Sequence, residues 1–361
     1  MSPDQIKLAK QRLRLGITNV GFWVISTTAG LYALKRPGSH SPTGARVMGL
    51  LLAALLAQAI FDVIGGFVLM PYPQATRAIF LKRWLRGMAV HSLLMGTLFA
   101  LSYASFRMSG GFCFAVLLGT TGLAFARVPI LQAIGGIPIH KEVQGDTQIL
   151  IADVDDPSFT GGITGFGKKA RSLMPRLWFD QLPDAELAVE GRRRQWQMDA
   201  GLEGRAFLLL LLWNMVGSSI GTVEFKLASR LPIEALSYHF CWMTLWGFLG
   251  LLILPRLSQK AVFAADQAFS REKIAIESWI RHFPELVGED GNPGSKTQAV
   301  FYPIPSTVLR QKHLNKATSG FIPGSLARNN LYYSWATLTL IGRSVHCNAG
   351  RPALWVFPPS A

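Results

Sequence analysis

The stretch AELAVEGRRRQWQ, Ala185–Gln197, decides how this chain is read. Its composition is helical, and Asp184 just before it is the expected N-cap. It carries three consecutive arginines, Arg192, Arg193 and Arg194, shortly before the apolar run AFLLLLLWNMVGSSIGTVEF, Ala206–Phe225. A guanidinium is always charged and is rarely buried without a partner. What these three are doing beside a membrane-length apolar run depends on the rest of the chain.

The chain is 361 residues long, 50% hydrophobic and only 16% charged, with mean hydropathy +0.28, which is too apolar for an ordinary soluble protein. The apolar residues come in runs long enough to cross a bilayer. Six spans are expected, at about 17–34, 47–70, 87–106, 112–131, 206–225 and 236–254. The fourth has the poorest signal, because Gly-Gly precedes it and RVPILQAIGGIP trails it. The fold class is therefore a mainly α-helical polytopic membrane protein. No cleavable signal peptide is visible.

The formal net charge is +15. Lys and Arg flanking membrane spans and meeting anionic lipid account for it. No zinc knuckle, RNP motif or basic recognition helix supports a nucleic-acid partner. The expected partners are the lipid bilayer and another membrane protein. Lys7, Lys10, Arg12 and Arg14 at the N-terminus, and Arg77, Lys82, Arg83 and Arg86 in the second loop, put both on the cytoplasmic side. The third loop offers only Arg107, whereas Lys35, Arg36 and Arg46 in the first loop count the other way. The 132–205 segment and the C-terminal part then share the cytoplasm, at the inner membrane if the chain is bacterial. Cys113, Cys241 and Cys347 form neither a disulfide framework nor a zinc ribbon.

After the fourth span the pattern changes. DTQILIADVDD alternates as a half-buried strand does, and FTGGITGFGKKARSLMP is Gly-rich and leads into a second strand. QKAVFAADQAFSREKIAIESWIRHF reads as another helix, followed by the polar loop GEDGNPGSKTQ and the turn FYPIPSTVLRQ. LYYSWATLTLIGR is too short for a span and is expected to pack on the domain or lie at the interface.

The order strand, Gly-rich strand, helix, span, span, helix resembles the membrane-embedded gluzincin metallopeptidases, the group of the type I CAAX prenyl proteases and HtpX-like proteases. PSFTGG, with Phe159 and Gly161, looks like the family's strand motif. QLPDAELAVEG looks like the approach to its HExxH zinc helix. FAADQAF looks like the helix of the third ligand, with Asp266 at the family's Asp, and FYPIPSTVLRQ is similar to a downstream element, with Arg310 at its Arg. FDVIGGFVLMPYPQATRAIFLKRWLRG resembles the N-terminal membrane domain around the second and third spans. The resemblance implies a zincin-like α+β cytoplasmic domain and a zinc cofactor. It also implies three regions: a four-span membrane domain, 1–131; a peptidase-like region with two further spans, 132–311; and a C-terminal extension, 312–361. In this frame Arg192 stands at the first His, Arg193 at the catalytic Glu, Trp196 at the second His and Ala264 at the third ligand. A guanidinium has no lone pair for a metal and cannot act as a base. No two of the seven histidines are spaced four apart, so no other register restores the site. No metal and no catalytic residue is expected.

Two readings of Arg192–Arg194 stay open. They form a solvated face before a span, or they bind a carboxylate, a lipid head group or a partner's acidic segment. Asp153, Asp155 and Asp156 read as a solvated strand end, since EF-hand spacing is missing. His346–Cys347 reads as a pair pointing to opposite faces of a strand. His140 lacks an evident partner and reads as a surface residue. Asp62, a carboxylate inside a span, is either a functional group or a paired one. Asn214 and Trp213 read as interhelical packing. Three functions follow: a membrane pseudopeptidase acting in protein interaction or regulation, an active membrane zinc metalloendopeptidase, or a lipid-handling or transport protein with an intramembrane cavity.

Overall fold

The chain forms a mainly helical structure around a small sheet, seen in a computed structural model that describes residues 3–360 apart from 36–43, 70–73, 107, 109–110, 145–146, 295–296, 299–300 and 317. Arg36 and Arg107, used above for loop charge, and Met70, the expected end of the second span, lie outside the described residues.

Five helices are long and apolar enough to cross a membrane. They are α1 (Pro3–Lys35), α2 (Gly44–Val63, continued by a π turn to Val68), the Leu81–Ser105 part of α3 (Gln74–Ser105), α8 (Leu202–Glu224) and α9 (Pro232–Ala268). Their outward faces are apolar: Ile25, Leu50, Leu93, Leu208 and Val223 are all exposed. The expected fourth span is not one straight helix. α4 (Gly111–Phe125) and α5 (Arg127–Gly135) meet at 73°, a broken span or a re-entrant turn. The break has a chemical cause. Arg127, the first residue of α5, is buried and reaches Glu203 (3.1 Å), Asn329 Oδ1 (3.0 Å) and the Val356 carbonyl (3.1 Å). Pro129, third in α5, has no N–H to bond the carbonyl of Phe125 at the end of α4, and the helical ladder breaks there. The sixth span also differs, because α9 runs on through Pro255 to Ala268, so the FAADQAF segment belongs to the same helix.

The sheet has strands β1 (Ile139–Gln144), β2 (Thr147–Ala152), β3 (Gly162–Thr164) and β4 (Arg171–Pro175), in the order β1-β2-β4-β3. β1 is antiparallel to β2, β2 parallel to β4, and β3 antiparallel to β4 with Gly162 opposite Leu173. A short helix α6 (Arg176–Gln181) leads into α7 (Asp184–Asp199), which packs on β3, β4, α8 and α9. α10 (Lys273–Val287) packs against α7, and α11 (Thr307–His313) against α9 and α10.

The C-terminal stretch is no appendage. It folds into α12 (Leu326–Tyr333), α13 (Ile341–Ser344) and α14 (Pro352–Val356), and every residue from 326 to 359 except Val345 and His346 is buried. Trp335, Leu354 and Trp355 join one core with residues of α3, α4, α5 and α8. LYYSWATLTLIGR therefore packs inside the protein. Three arginines fasten this stretch. Arg343 pairs with Asp62 of α2, reaches His91 Nδ1 (3.0 Å) and lies over the Trp355 ring at 4.0 Å. Arg351 donates to Asp156 (2.7 Å), and Arg328 lies 3.4 Å from Glu289. Asp62 also accepts from Gln58 and from the Gly350 amide, both at 3.1 Å. Gly350 has φ +72°, and a Cβ there would stand 2.1 Å from the Asp62 carbonyl, so the turn admits only glycine.

Arg343→Met would leave Asp62 charged, buried and short of its partner. The expected loss is about 3–5 kcal/mol. Asp62→Asn combined with Arg343→Met should recover most of it, as read by unfolding of the detergent-solubilised chain.

Candidate functional site

α7 starts one residue earlier than a cap at Asp184 would require. Pro183 occupies the N-cap position without a side-chain cap bond, and Asp184 and Glu186 lie in the first turn, where their charge meets the helix dipole. Glu190, Arg193 and Arg194 follow at i, i+3 and i+4, so they share one face. That face is turned to β4 and α9.

Glu190 receives both arginines. Arg194 Nε donates to Oε1 at 2.7 Å, and Arg193 pairs with Oε2. Arg193 reaches on to Asp266 Oδ1 of α9 at 2.8 Å. Arg310 of α11 closes the same carboxylate from the other side, with Nε to Oδ2 at 2.7 Å and a terminal nitrogen to Oδ1 at 2.8 Å. Arg194 spends its remaining donors on the carbonyls of Leu173 (2.6 Å) and Thr160 (2.7 Å). Burial works against the Arg193 charge, but Asp266 and Glu190 more than offset it, so the guanidinium holds its proton more tightly than usual. For Arg194 burial prevails over Glu190, and the shift is downward.

The structure thus brings together Arg193, Asp266 and Arg310, three of the residues singled out above. It also corrects two expectations. Arg193 and Arg194 are 0% and 3% exposed, so they are not a solvated face. Their bonds also run to acceptors within the chain. Only Arg192 reaches solvent, paired with Glu272 of the turn after α9. The helix face that meets Asp266 is therefore centred on Arg193, one residue later than a first ligand at Arg192 requires. Trp196 is half-buried, and Ala264 is buried with no donor atom to offer.

Phe159 and Gly161 line the other wall. Phe159 is fully buried and meets Phe357 edge to face at 6.3 Å. Gly161 has φ +67°, and a Cβ would stand 1.9 Å from the Leu173 carbonyl, so no side chain fits. The C-terminal residues lie against this wall: Ser360 donates its amide to Thr160 Oγ1 at 2.9 Å. What is left between Gly161, Glu190, Arg194, Glu203 and Phe357 is a cavity of about 30 Å³, room for roughly two water molecules.

The remaining candidates resolve into pairs. Asp153 accepts from Arg176 (3.4 Å) and lies 3.0 Å from His140, which therefore does have a partner. Asp155 pairs with Arg83 at 2.7 Å, and Asp156 is buried against Arg351. Three aspartates with three different arginines are not a calcium site; Asp155 is exposed and Asp153 half-exposed, as a solvated strand end requires, and only Asp156 is buried. Trp213 and Asn214 lie on α8, and Trp246 of α9 donates to the Trp213 carbonyl at 3.0 Å. Asp62 is sealed by Arg343, as described above.

His346 and Cys347 stand in a turn rather than a strand, so they do not point apart. With Glu289 they offer three ligand-type atoms within 4.8 Å of one another. Arg328 enters this group, with one nitrogen 3.1 Å from Cys347 Sγ and another 3.4 Å from Glu289. A fixed cation beside the thiol and the carboxylate opposes a second, divalent one. Burial pushes the Cys347 thiol up despite Arg328, which disfavours the thiolate a nucleophile needs. Burial also pushes the Glu289 carboxyl up, but Arg328, His346 and Arg12 outweigh it and hold it at about 2. Glu190 and Glu289 are buried, arginine-paired carboxylates that the sequence reading missed. The i, i+3/i+4 spacing to two arginines was the available signal for Glu190; Glu289 had none.

No protein-family model matches the chain, and no curated protein sequence matches it.

Arg193→Met should cost about 3–5 kcal/mol, because it takes one of two arginines from each of two buried carboxylates, Glu190 and Asp266, whereas Arg192→Met, which breaks a solvent-exposed pair, should cost about 0–1 kcal/mol; chemical unfolding separates the two. Glu289 has a depressed folded pKa, so its stabilisation is complete above the unfolded value of about 4.3. It is lost as pH falls through about 2. Melting temperature against pH should show this acid limb in the native chain and a shallower one in Glu289→Gln.

Proposed function

We propose that this chain is a membrane-embedded pseudopeptidase, a degenerate relative of the gluzincin metallopeptidases. It works through protein interaction or regulation rather than hydrolysis. The observation that carries the reading is Arg193, a guanidinium set between Glu190 and Asp266 on the helix face turned to α9.

Peptide hydrolysis of the family's kind needs ligand lone pairs for zinc, an open coordination position and a base for the water. Here the site centre is a permanent cation with no lone pair. Both carboxylates that face it are already neutralised by arginine, Glu190 by two and Asp266 by two. A dication placed there would meet like charge at contact distance. The guanidinium reproduces a metal's charge and its ability to hold several oxygens, without its Lewis acidity. The filled cleft points the same way, because residues 357–360 lie where an outside chain would need to approach the Gly161 wall.

The same reading places the N-terminus and this site on the cytoplasmic side, supported by Lys7, Lys10, Arg12 and Arg14 and by Lys82, Arg83 and Arg86. Asp62 does not favour a transport path, since it is closed in by Arg343, Gln58 and the Gly350 amide.

The test is metal analysis of the chain purified in detergent and equilibrated with zinc, with casein and prenylated-peptide cleavage measured in parallel. The expected result is no stoichiometric zinc and no chelator-sensitive cleavage. A full equivalent of zinc together with cleavage that chelator abolishes would overturn the proposal.

A further inference from the structure

We propose that the groove between α1 and α9 binds one phospholipid, with an acyl chain along the groove and the phosphate at Arg328. The groove encloses about 310 Å³, at the lower end of small-molecule sites, which span about 300–1,000 Å³. Its wall is apolar, with Ile17 and Gly21 from α1, Leu252 from α9, and Phe301. Ile17, Leu252 and Phe301 are 43%, 39% and 37% exposed, so the groove opens sideways from the helices that would cross the bilayer. Its polar lining is confined to Arg328, His346 and Cys347, which are themselves gathered on Glu289.

Two observations identify the occupant. The first is depth. The apolar run of α1 begins at Ile17, just after Arg12 and Arg14, and that of α9 ends at Leu254, just before Arg256. The groove therefore lies where two candidate spans change from apolar to basic sequence. A bilayer places its phosphates at that level. The second is an unmet donor. Arg328 is only 4% exposed, and its Nε–H has no acceptor among the described residues, although its other nitrogens reach Cys347 and Glu289. A buried N–H without a partner is costly, and a phosphate oxygen is the strongest acceptor available at that depth. A chain tail in the groove and an oxyanion on Arg328 meet both demands with one molecule. This inference does not rest on the pseudopeptidase reading: Arg328 also lines the small cavity beside Gly161 and Arg194, but the apolar groove itself is built by α1, α9 and Phe301.

The test is native mass spectrometry of the full chain in mild detergent. The micelles are doped with phosphatidylglycerol or with diacylglycerol of the same chains. One phosphatidylglycerol per chain should be retained, with diacylglycerol retained about tenfold less, since it lacks the charged acceptor. Gly21 lines the groove, and a Cβ there meets nothing within 4 Å, so Gly21→Leu fills the space without a backbone clash. It should lose the lipid, whereas Gly122→Leu, an equally open position on the outer face of α4, should keep it. Equal retention of the two lipids, no retention in the native chain, or full retention in Gly21→Leu would overturn the proposal. A melting temperature for Gly21→Leu at or above the native one separates loss of the site from unfolding. If that variant does not fold, the two-lipid comparison on the native chain decides alone.

Discussion

Asp266 carries two guanidinium groups in the dry interior, and much of the sheet-bearing half follows from that. A buried carboxylate is tolerable only when its charge is matched and its lone pairs are filled. Arg310 fills both oxygens, and Arg193 adds a third contact. Because the two arginines sit on different elements, the carboxylate fixes α7, α9 and α11 against one another. Glu190 passes the constraint on to Arg194, and Arg194 ties the helix to the carbonyls of Leu173 and Thr160. The chain of charge thus runs from a membrane-length helix to the sheet without a solvent-exposed link.

The same device recurs through the molecule, and its other ends are mostly in the C-terminal stretch. Arg343 meets Asp62 among the N-terminal helices, Arg351 meets Asp156 after β2, and Arg328 meets Glu289 after α10. Each carboxylate comes from a different region, so one stretch of chain holds the membrane helices, the sheet and the α10 loop in register. Arginine suits the task because its planar fork satisfies two acceptors at once and never loses its proton. Ion pairs of this kind add little net stability over apolar packing, but they penalise any misplacement of a partner heavily. Their contribution is specificity of arrangement.

How much of this was legible in the sequence depends on the range of the signal. Long apolar runs announce themselves, so five of the six expected spans correspond to helices of span length. The fourth misled because its hydropathy continues past Arg127, whose partners Glu203, Asn329 and Val356 are far away in sequence. β2 was readable from its alternation, and the helix at Arg192–Arg194 from composition. Which face of that helix was buried was not readable, since three adjacent arginines span more than half the helix circumference and only the positions of Glu190 and Asp266 choose among them. The C-terminal stretch was read as an extension because it has neither span length nor a clean period. Its clue was Arg328, Arg343 and Arg351 embedded among Trp, Tyr and Leu, a composition that solvent-facing tails do not show.

The location of that stretch limits how the cleft beside Arg193 can open. Residues 357–360 lie against Thr160 and Gly161, and immediately before them come Trp355, wholly buried, and Arg351, locked on Asp156. The last few residues can peel away while Arg351 stays in place, since Ser360 is held to Thr160 by an amide hydrogen bond. A larger opening would draw out Trp355 and strand Asp156, at a cost of about 3–5 kcal/mol for the broken pair alone. Local fraying and wholesale release are therefore separated by a steep step at Arg351. The space the final residues would vacate lies beside Gly161 and the Glu190–Arg194 pair, where Arg127, Arg194 and Arg328 face Glu190 and Glu203.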